Sequence, residues 1–493
     1  MKVNPTQAKM YYQAMLARDN RFDGKFFVGV KTTGIYCRPI CPARPQFKNV
    51  EFFKTAFAAE QKGYRPCLRC RPEGAPVGSG HSPLVIRALQ LIASESGPLL
   101  QEADYAEQLG ISARHLRRLF QAEFGRTPKQ IAATLRLNFA RKLVCETALP
   151  LTTVALSAGF RSLRRFNAAF KERFSRPPSD FRTAKMGSEA GRNSTSLITL
   201  SLPYRSPFDW AGIYRFFKRH ALQGPEYFGE NHYERVFSLK DQIGWLELHN
   251  LPNQASLQLS LMCPDPRILS LVVHRLRRMW DLDSDPLLLA QAFEGVPLLA
   301  GSYLKDTQLS NSGSPSGLRL PGAWDGFETT VAIILGQMVS LARARHLLAE
   351  LIQLYGPSVL HPRTLNPVQI FPSPETLANA PELQLGTTRQ RLHTIQNLAR
   401  MVVSGQLSLS PAQDPQRFRA QLQKLPGIGP WTTEMIALRV LGDTDAFPAN
   451  DLIIKRMLKA HPGLEIDKLK PWRAYAAIAI WEQAWVESSR ESP

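Results

Sequence analysis

A multidomain α+β architecture is what this sequence of 493 residues predicts, and three observations predict it. Cys37, Cys41, Cys67 and Cys70 form two close pairs near the start, a short-helix pattern occurs twice between residues 103 and 178, and a Pro-Gly-Ile-Gly turn joins two apolar helical stretches near the end. The expected parts are a small zinc domain at 1–75, an all-α tandem helix-turn-helix domain at 82–185, an α+β domain at 196–315 and an all-α helix-hairpin-helix domain at 316–490. A chain of this length is expected to make about three or four domains.

The zinc domain rests on spacing. Three residues separate Cys37 from Cys41, two separate Cys67 from Cys70, and 25 lie between the pairs. Four soft thiolates so placed can surround Zn²⁺ tetrahedrally, which suits zinc better than a hard cation. Most four-cysteine clusters are closed structural sites, but the flanking words carry more information. Phe26-Phe27-Val28-Gly29-Val30-Lys31-Thr32-Thr33-Gly34-Ile35-Tyr36-Cys37-Arg38-Pro39 and Tyr64-Arg65-Pro66-Cys67-Leu68-Arg69-Cys70-Arg71-Pro72 resemble the metal-binding domain of the Ada adaptive-response proteins. That resemblance implies that Cys37, first of the quartet, takes the methyl group from a DNA methylphosphotriester. A zinc-bound cysteine is a thiolate at neutral pH and needs no separate base. Four thiolates on one Zn²⁺ leave a net negative charge, which repels a phosphodiester and admits a neutral phosphotriester. Methylating Cys37 removes one negative charge and strengthens DNA binding, so the implied site is both repair nucleophile and damage switch.

Charge agrees with a polyanionic partner. The chain holds 61 Lys+Arg against 41 Asp+Glu, a formal +20, and residues 1–185 contribute 31 and 13 of these, so nearly all the excess sits in the first third. No apolar run is long enough to span a bilayer, and Met1-Lys2-Val3-Asn4-Pro5 leads into a polar amphipathic segment rather than a signal peptide. With Cys145 and Cys263 isolated there is no disulfide framework, and a cytoplasmic protein is the expectation. Glycine- and serine-rich stretches at Gly74–Gly80, Met186–Ser194 and Ser310–Gly317 break the chain, the first two reading as linkers and the third as a linker or a loop.

Between the first two breaks lie helix patterns. Ala103–Leu109, a turn at Gly110, and Ala113–Phe124 form one helical pair, in which Ser112 can cap the second helix and Leu116, Leu119, Phe120 and Phe124 share a face. Val154–Phe160 and Ser162–Phe174 form the other. One such pair is as often an ordinary helical hairpin; two in tandem, each closed by Phe-Gly/Ser-Arg-Thr/Pro-Pro, resemble the AraC-type DNA-binding domain. The resemblance implies second helices in successive major grooves, with Arg114, His115, Arg117 and Arg118 in one copy and Arg161, Ser162, Arg164 and Arg165 in the other contacting phosphates and base edges.

From Ser196 the alternation of Leu197–Leu202, Tyr233–Phe237 and Ala255–Leu261 reads as strands, a helix-like segment begins at Pro207-Phe208-Asp209-Trp210, and Ile268–Trp280 has helical spacing, with no catalytic constellation of its own. Beyond Leu318 the chain reads as helical. Leu425-Pro426-Gly427-Ile428-Gly429-Pro430-Trp431-Thr432 has the helix-hairpin-helix pattern, in which glycines, here Gly427 and Gly429, let backbone N–H groups face a phosphate. Such a hairpin could also hold a monovalent cation. Twenty-two residues after Gly429 comes Asp451, ahead of an apolar helix where an Asp is most often only an N-cap. Hairpin and aspartate, together with Leu320-Pro321-Gly322, Ile334-Leu335-Gly336-Gln337-Met338-Val339-Ser340 and Lys470-Pro471-Trp472-Arg473-Ala474-Tyr475, resemble the AlkA-type 3-methyladenine DNA glycosylases over everything past the second linker.

Carried over, that resemblance makes Asp451 the catalytic carboxylate that stabilises an oxocarbenium-like sugar, Trp431 and Trp481 the aromatic base pocket, and Met338 the wedge entering the duplex, where the family usually holds Leu. No lysine stands just after the hairpin, which implies base excision without strand cleavage. No Pro-Cys-His-Arg segment follows the regulatory half, so the alkylguanine transferase part of full-length Ada proteins is not expected, nor are iron–sulfur cysteines. The expected protein fuses a zinc methyl acceptor and regulator to a monofunctional glycosylase, acting on alkylated and promoter double-stranded DNA with RNA polymerase a candidate partner. A transcription factor whose C-terminal half only binds DNA is the alternative.

Overall fold

The computed structural model describes residues 4–67, 69–70, 72, 82–94, 100–182, 197–294, 296 and 317–491. Gly74–Gly80, Met186–Ser194 and residues 310–316 of the three breaks lie outside them. The chain packs as two compact units. Met1–Ser206, Leu239–Arg277 and Leu282–Ser284 form the first; Pro207–Ser238, Arg278–Asp281 and Asp285–Pro493 form the second. Among the described residues no helix is long and apolar enough to cross a membrane.

The first unit begins with a four-stranded sheet in the order β3-β1-β2-β4, from Phe27–Val30 (β1), Ile35–Cys37 (β2), Val50–Phe53 (β3) and Arg65–Pro66 (β4). Gly34, at φ +64°, allows the tight turn between β1 and β2. Phe26, Val28 and Phe52 pack on Met15 of the helix Pro5–Leu16, and Tyr11 stacks on Phe26 at 4.1 Å between ring centroids. This aromatic layer lets a module of few residues hold a core.

The helix-turn-helix elements follow as Glu102–Gln108 with Ala113–Phe124, and Leu151–Ser157 with Leu163–Phe174, joined through the long helix Pro128–Glu146. The two copies are built alike. Gly110 and Gly159 turn at φ +70° and +76°; Ser112 and Ser162 accept from His115 N and Arg165 N; Gly125 and Ser175 end the second helices in the left-handed conformation. Phe120 and Phe170 are fully buried, and so is Leu116, while Leu119 is only partly covered. Ile198–Pro203 (β5), Gln242–Leu251 (β8) and Ser256–Met262 (β9) also belong to this unit, antiparallel in the order β5-β9-β8 with Leu200 opposite Leu259. The alternation of β5 and β9 matches the sequence expectation, as does the helix Leu269–Met279, whereas β8 was not among the expected strands.

In the second unit Asp209 caps the helix Trp210–Arg219, and Trp210 stacks on Trp280 at 4.8 Å. Glu226–Phe228 (β6) and His232–Leu239 (β7) pair antiparallel, Glu226 opposite Arg235. Helices dominate after residue 318, but the region is not purely helical as expected: Ser358–Leu360 (β10) and Pro367–Gln369 (β11) form a two-stranded ribbon. Pro415–Leu422 and Pro430–Ile436 flank the Leu425–Gly429 hairpin.

Candidate functional site

Two parallel strands build the sulfur cluster. Tyr36 of β2 sits beside Pro66 of β4, and Cys67 N donates to Tyr36 O at 2.9 Å, so Cys37 and Cys67 leave adjacent strand ends together. Cys41 returns on the following turn, and Arg38 N donates to Cys70 Sγ at 3.2 Å. All four sulfurs lie within 4.8 Å of one another. A tetrahedron of zinc–sulfur bonds has edges of about 3.8 Å, so four close thiols, with no hard oxygen donor among them, fit zinc. Cys37, Cys41 and Cys67 are buried, and Cys70 is a half-buried residue.

The cluster is tied to its surroundings by named side chains. Arg38 forms an ion pair with Asp23, whose carbonyl accepts from Arg205 Nε at 2.6 Å. The fully buried Arg141 donates to Cys67 O at 2.9 Å and stacks on Phe174. Tyr36 donates to Glu60 Oε1 at 2.7 Å, and Arg173, at the end of Leu163–Phe174, donates to the same carboxylate. Arg114, Arg118, Arg161, Arg164 and Arg165 stand exposed at the starts of the two second helices, with His115 partly covered. Arg117 is exposed but already paired with Glu102 at 2.6 Å.

In the second unit a cavity of about 530 Å³ brings Asp451, Trp431 and Trp481 together, within the usual range for a small-molecule pocket. Asp451 caps Leu452–Ala460: its Oδ1 accepts from Ile453 N and Ile454 N at 3.0 and 3.1 Å. Trp481 Nε1 also donates to Oδ1, and Trp431 Nε1 donates to Oδ2, each at 3.0 Å. The backbone therefore fixes the carboxylate while two indoles hold it at the cavity wall. Met338 lies elsewhere. It is 90% exposed at φ +53°, in the turn between Gly326–Leu335 and Leu341–Tyr355. The preceding Gln337 donates to Gly427 O at 3.0 Å and Thr432 Oγ1 at 2.8 Å, which links that turn to the hairpin. Gly427, at φ +90°, has no room for a side chain: a Cβ would come within 2.3 Å of Thr394 Oγ1.

Sequence reasoning missed much of the cavity wall. Phe216, Phe217, Arg219 and His220 come from a region read as lacking chemistry, and Met435 and Arg439 continue the face of Trp431 at intervals of four. Trp485, four residues after Trp481 on Arg473–Glu491, carried the one readable signal. Burial holds the His220 imidazole down at about 4, with the positive charge of Arg439 next in effect. The unfolded chain takes up that proton near pH 6.5 while the folded chain refuses it, so stability falls as pH drops from 6.5 towards 4, by about 3 kcal/mol at most. Denaturant midpoints should fall less steeply over that range in His220→Gln; identical slopes in the two proteins would refute the assignment.

A cluster of four thiols fit for zinc beside paired helix-turn-helix elements, and a helix-hairpin-helix with an aromatic cavity, together define a DNA-binding regulator fused to a base-excision fold. Residues 10–73 match the metal binding domain of Ada, 105–184 a helix-turn-helix domain, 199–325 the AlkA N-terminal domain, and 331–474 the HhH-GPD superfamily of base excision DNA repair proteins. A probable bifunctional transcriptional activator/DNA repair enzyme AlkA of Mycobacterium tuberculosis is 36% identical over 487 residues, covering 95% of each chain. DNA-3-methyladenine glycosylase 2 of Escherichia coli is 29% identical over 57% of this chain and 96% of its own. The bifunctional transcriptional activator/DNA repair enzyme Ada of the same organism is 40% identical over 30% of this chain and 42% of its own. The chain belongs to the family of bifunctional transcriptional activator/DNA repair proteins represented by the mycobacterial relative.

Proposed function

We propose that this protein regulates transcription in response to DNA methylation and excises alkylated bases, 3-methyladenine among them, by N-glycosidic hydrolysis. The observation that carries the enzymatic half is the Asp451 carboxylate, held by both tryptophan indoles on the wall of a base-sized cavity. An everted alkylated purine is cationic and leaves readily, taking the electron pair of the C1′–N bond. Asp451 then faces the positive charge left on the sugar and orients the water that adds at C1′, whose proton passes to solvent. Trp431 and Trp481 offer aromatic surface to the base. Among the described residues no lysine lines the cavity, which supports hydrolysis without a Schiff base and so a monofunctional glycosylase.

In the first unit Cys37 acts once. Its Sγ attacks the methyl carbon of a phosphotriester, the S–C bond forms as the O–C bond breaks, and the phosphodiester departs as the anion. Zinc, when bound by Cys37, Cys41, Cys67 and Cys70, supplies that sulfur as thiolate. The exposed arginines of the two second helices, with His115, contact promoter DNA. RNA polymerase is the partner an activator of this kind would recruit, and the carbonyls of the Leu425–Gly429 hairpin could hold a monovalent cation beside a DNA phosphate. Incubation with methylated duplex tests the reading: free 3-methyladenine should be released, whereas a regulator that only binds DNA would release none.

Met338 fills the gap left by the everted nucleotide. Its exposure and its fixed left-handed turn support that role, because the side chain is held out from the fold at the level of the hairpin. Met338→Ala should weaken binding to a duplex with an abasic analogue by roughly tenfold, about 1.4 kcal/mol, leaving binding to undamaged DNA unchanged. Equal weakening on both would remove the wedge assignment.

A further inference from the structure

Arg439 stands out among the cavity's charges. The other buried charges of the wall pair with one another: Arg235 with Glu226 and Glu328, and Arg219 with Glu482 at 2.7 Å. Arg439 has no carboxylate partner among the described residues. Its Nη2 reaches one backbone oxygen, Gly322 O, at 3.4 Å, and its Nε is shut off from solvent without an acceptor. The guanidinium lies over Phe216, 4.7 Å from the ring centroid, and lines the same cavity as Asp451 and Trp431. Arg439 is carried on a π-helical turn, Ala437–Leu441, directly after Pro430–Ile436; such turns are rare and concentrate at functional sites. Burial lowers its pKa to about 10, with Glu226 opposing, so the side chain is a charged, poorly solvated cation at neutral pH.

We propose that Arg439 determines which damaged bases leave: its unpaired guanidinium favours uncharged purines, which depart carrying negative charge, over purines already made cationic by alkylation. This rests on the glycosylase reading above. When the C1′–N bond of an uncharged purine breaks, the electron pair leaves with the base as an anion, which later takes a proton from water. A nearby guanidinium with free N–H donors stabilises that developing charge in a low-dielectric cavity. A cationic base becomes neutral as it leaves and gains nothing from the same group. The effect depends on charge and so does not require one particular orientation of the base.

The test is single-turnover release of hypoxanthine, the uncharged deaminated form of adenine, and of 7-methylguanine from otherwise matched duplexes. Arg439→Met should lower hypoxanthine release at least tenfold more than it lowers 7-methylguanine release. Arg439→Lys, which keeps the charge, should restore most of the hypoxanthine rate. An equal fall for both bases would show that Arg439 only supports the fold and would overturn the proposal, as would a Lys variant no better than Met. Wild-type protein that releases 7-methylguanine but no hypoxanthine would overturn it too while leaving the glycosylase reading intact; release of neither would overturn that reading first.

Discussion

Asp451→Asn should reduce release of 3-methyladenine by about 10³-fold, the scale expected when a preorganised charge facing a transition state is removed. The substitution is informative because so little else should change. Asn caps a helix about as well as Asp, so its Oδ1 can still accept from Ile453 N and Ile454 N. One of the two indoles loses its acceptor, because the amide nitrogen cannot receive a hydrogen bond. Folding should therefore change by about 1 kcal/mol, while promoter binding through the first unit should be untouched. Measuring release from methylated duplex alongside operator binding separates catalysis from affinity. Full activity in the Asn variant would remove Asp451 from the mechanism.

Cys37→Ala should abolish methyl transfer altogether: labelled methylphosphotriester DNA would place up to one methyl on each wild-type chain and none on the variant. Promoter activation after methylation damage should vanish with it, because the charge change that strengthens DNA binding can no longer occur. Base release by the second unit should continue. Exposure does not single out Cys37, since Cys70 is the less buried residue, so the labelled position is the decisive measurement. A methyl recovered on Cys67 or Cys70 would reassign the nucleophile.

Local chemistry was what the sequence displayed best. The cysteine spacing, the Ser112 cap and Gly110 turn of the first helix-turn-helix copy, and the glycine hairpin each encode their conformation within a few residues, while Ser162, read only as a candidate DNA contact, also caps the matching helix of the second copy. Asp451 shows how two readings can both apply: it is an ordinary N-cap by its Oδ1 contacts and a cavity group by its indole contacts. The far wall of that cavity was hidden because Phe216 and His220 meet Arg439 across more than two hundred residues of chain, which no periodicity can announce. Ser358–Leu360 and Pro367–Gln369 are too short to show alternation. Arg117 is a candidate DNA contact in the sequence, and its pairing with Glu102, on the neighbouring helix, could not be read there.

The first unit also bears on how the polypeptide can be cut. The packing around its helix-turn-helix elements includes residues beyond the stretch that follows residue 185. Lys142 and Glu146 hold the backbone of Ser201, Arg205 spans Asp23 and the carbonyls of Asp283 and Ser284, and Leu151–Ser157 packs on Pro266–Ile268. A fragment ended at that stretch would strand these groups in water and bare an apolar flank. Swapping the front portion between homologues would meet the same obstacle, because three strands that arrive later in translation belong to the same compact unit.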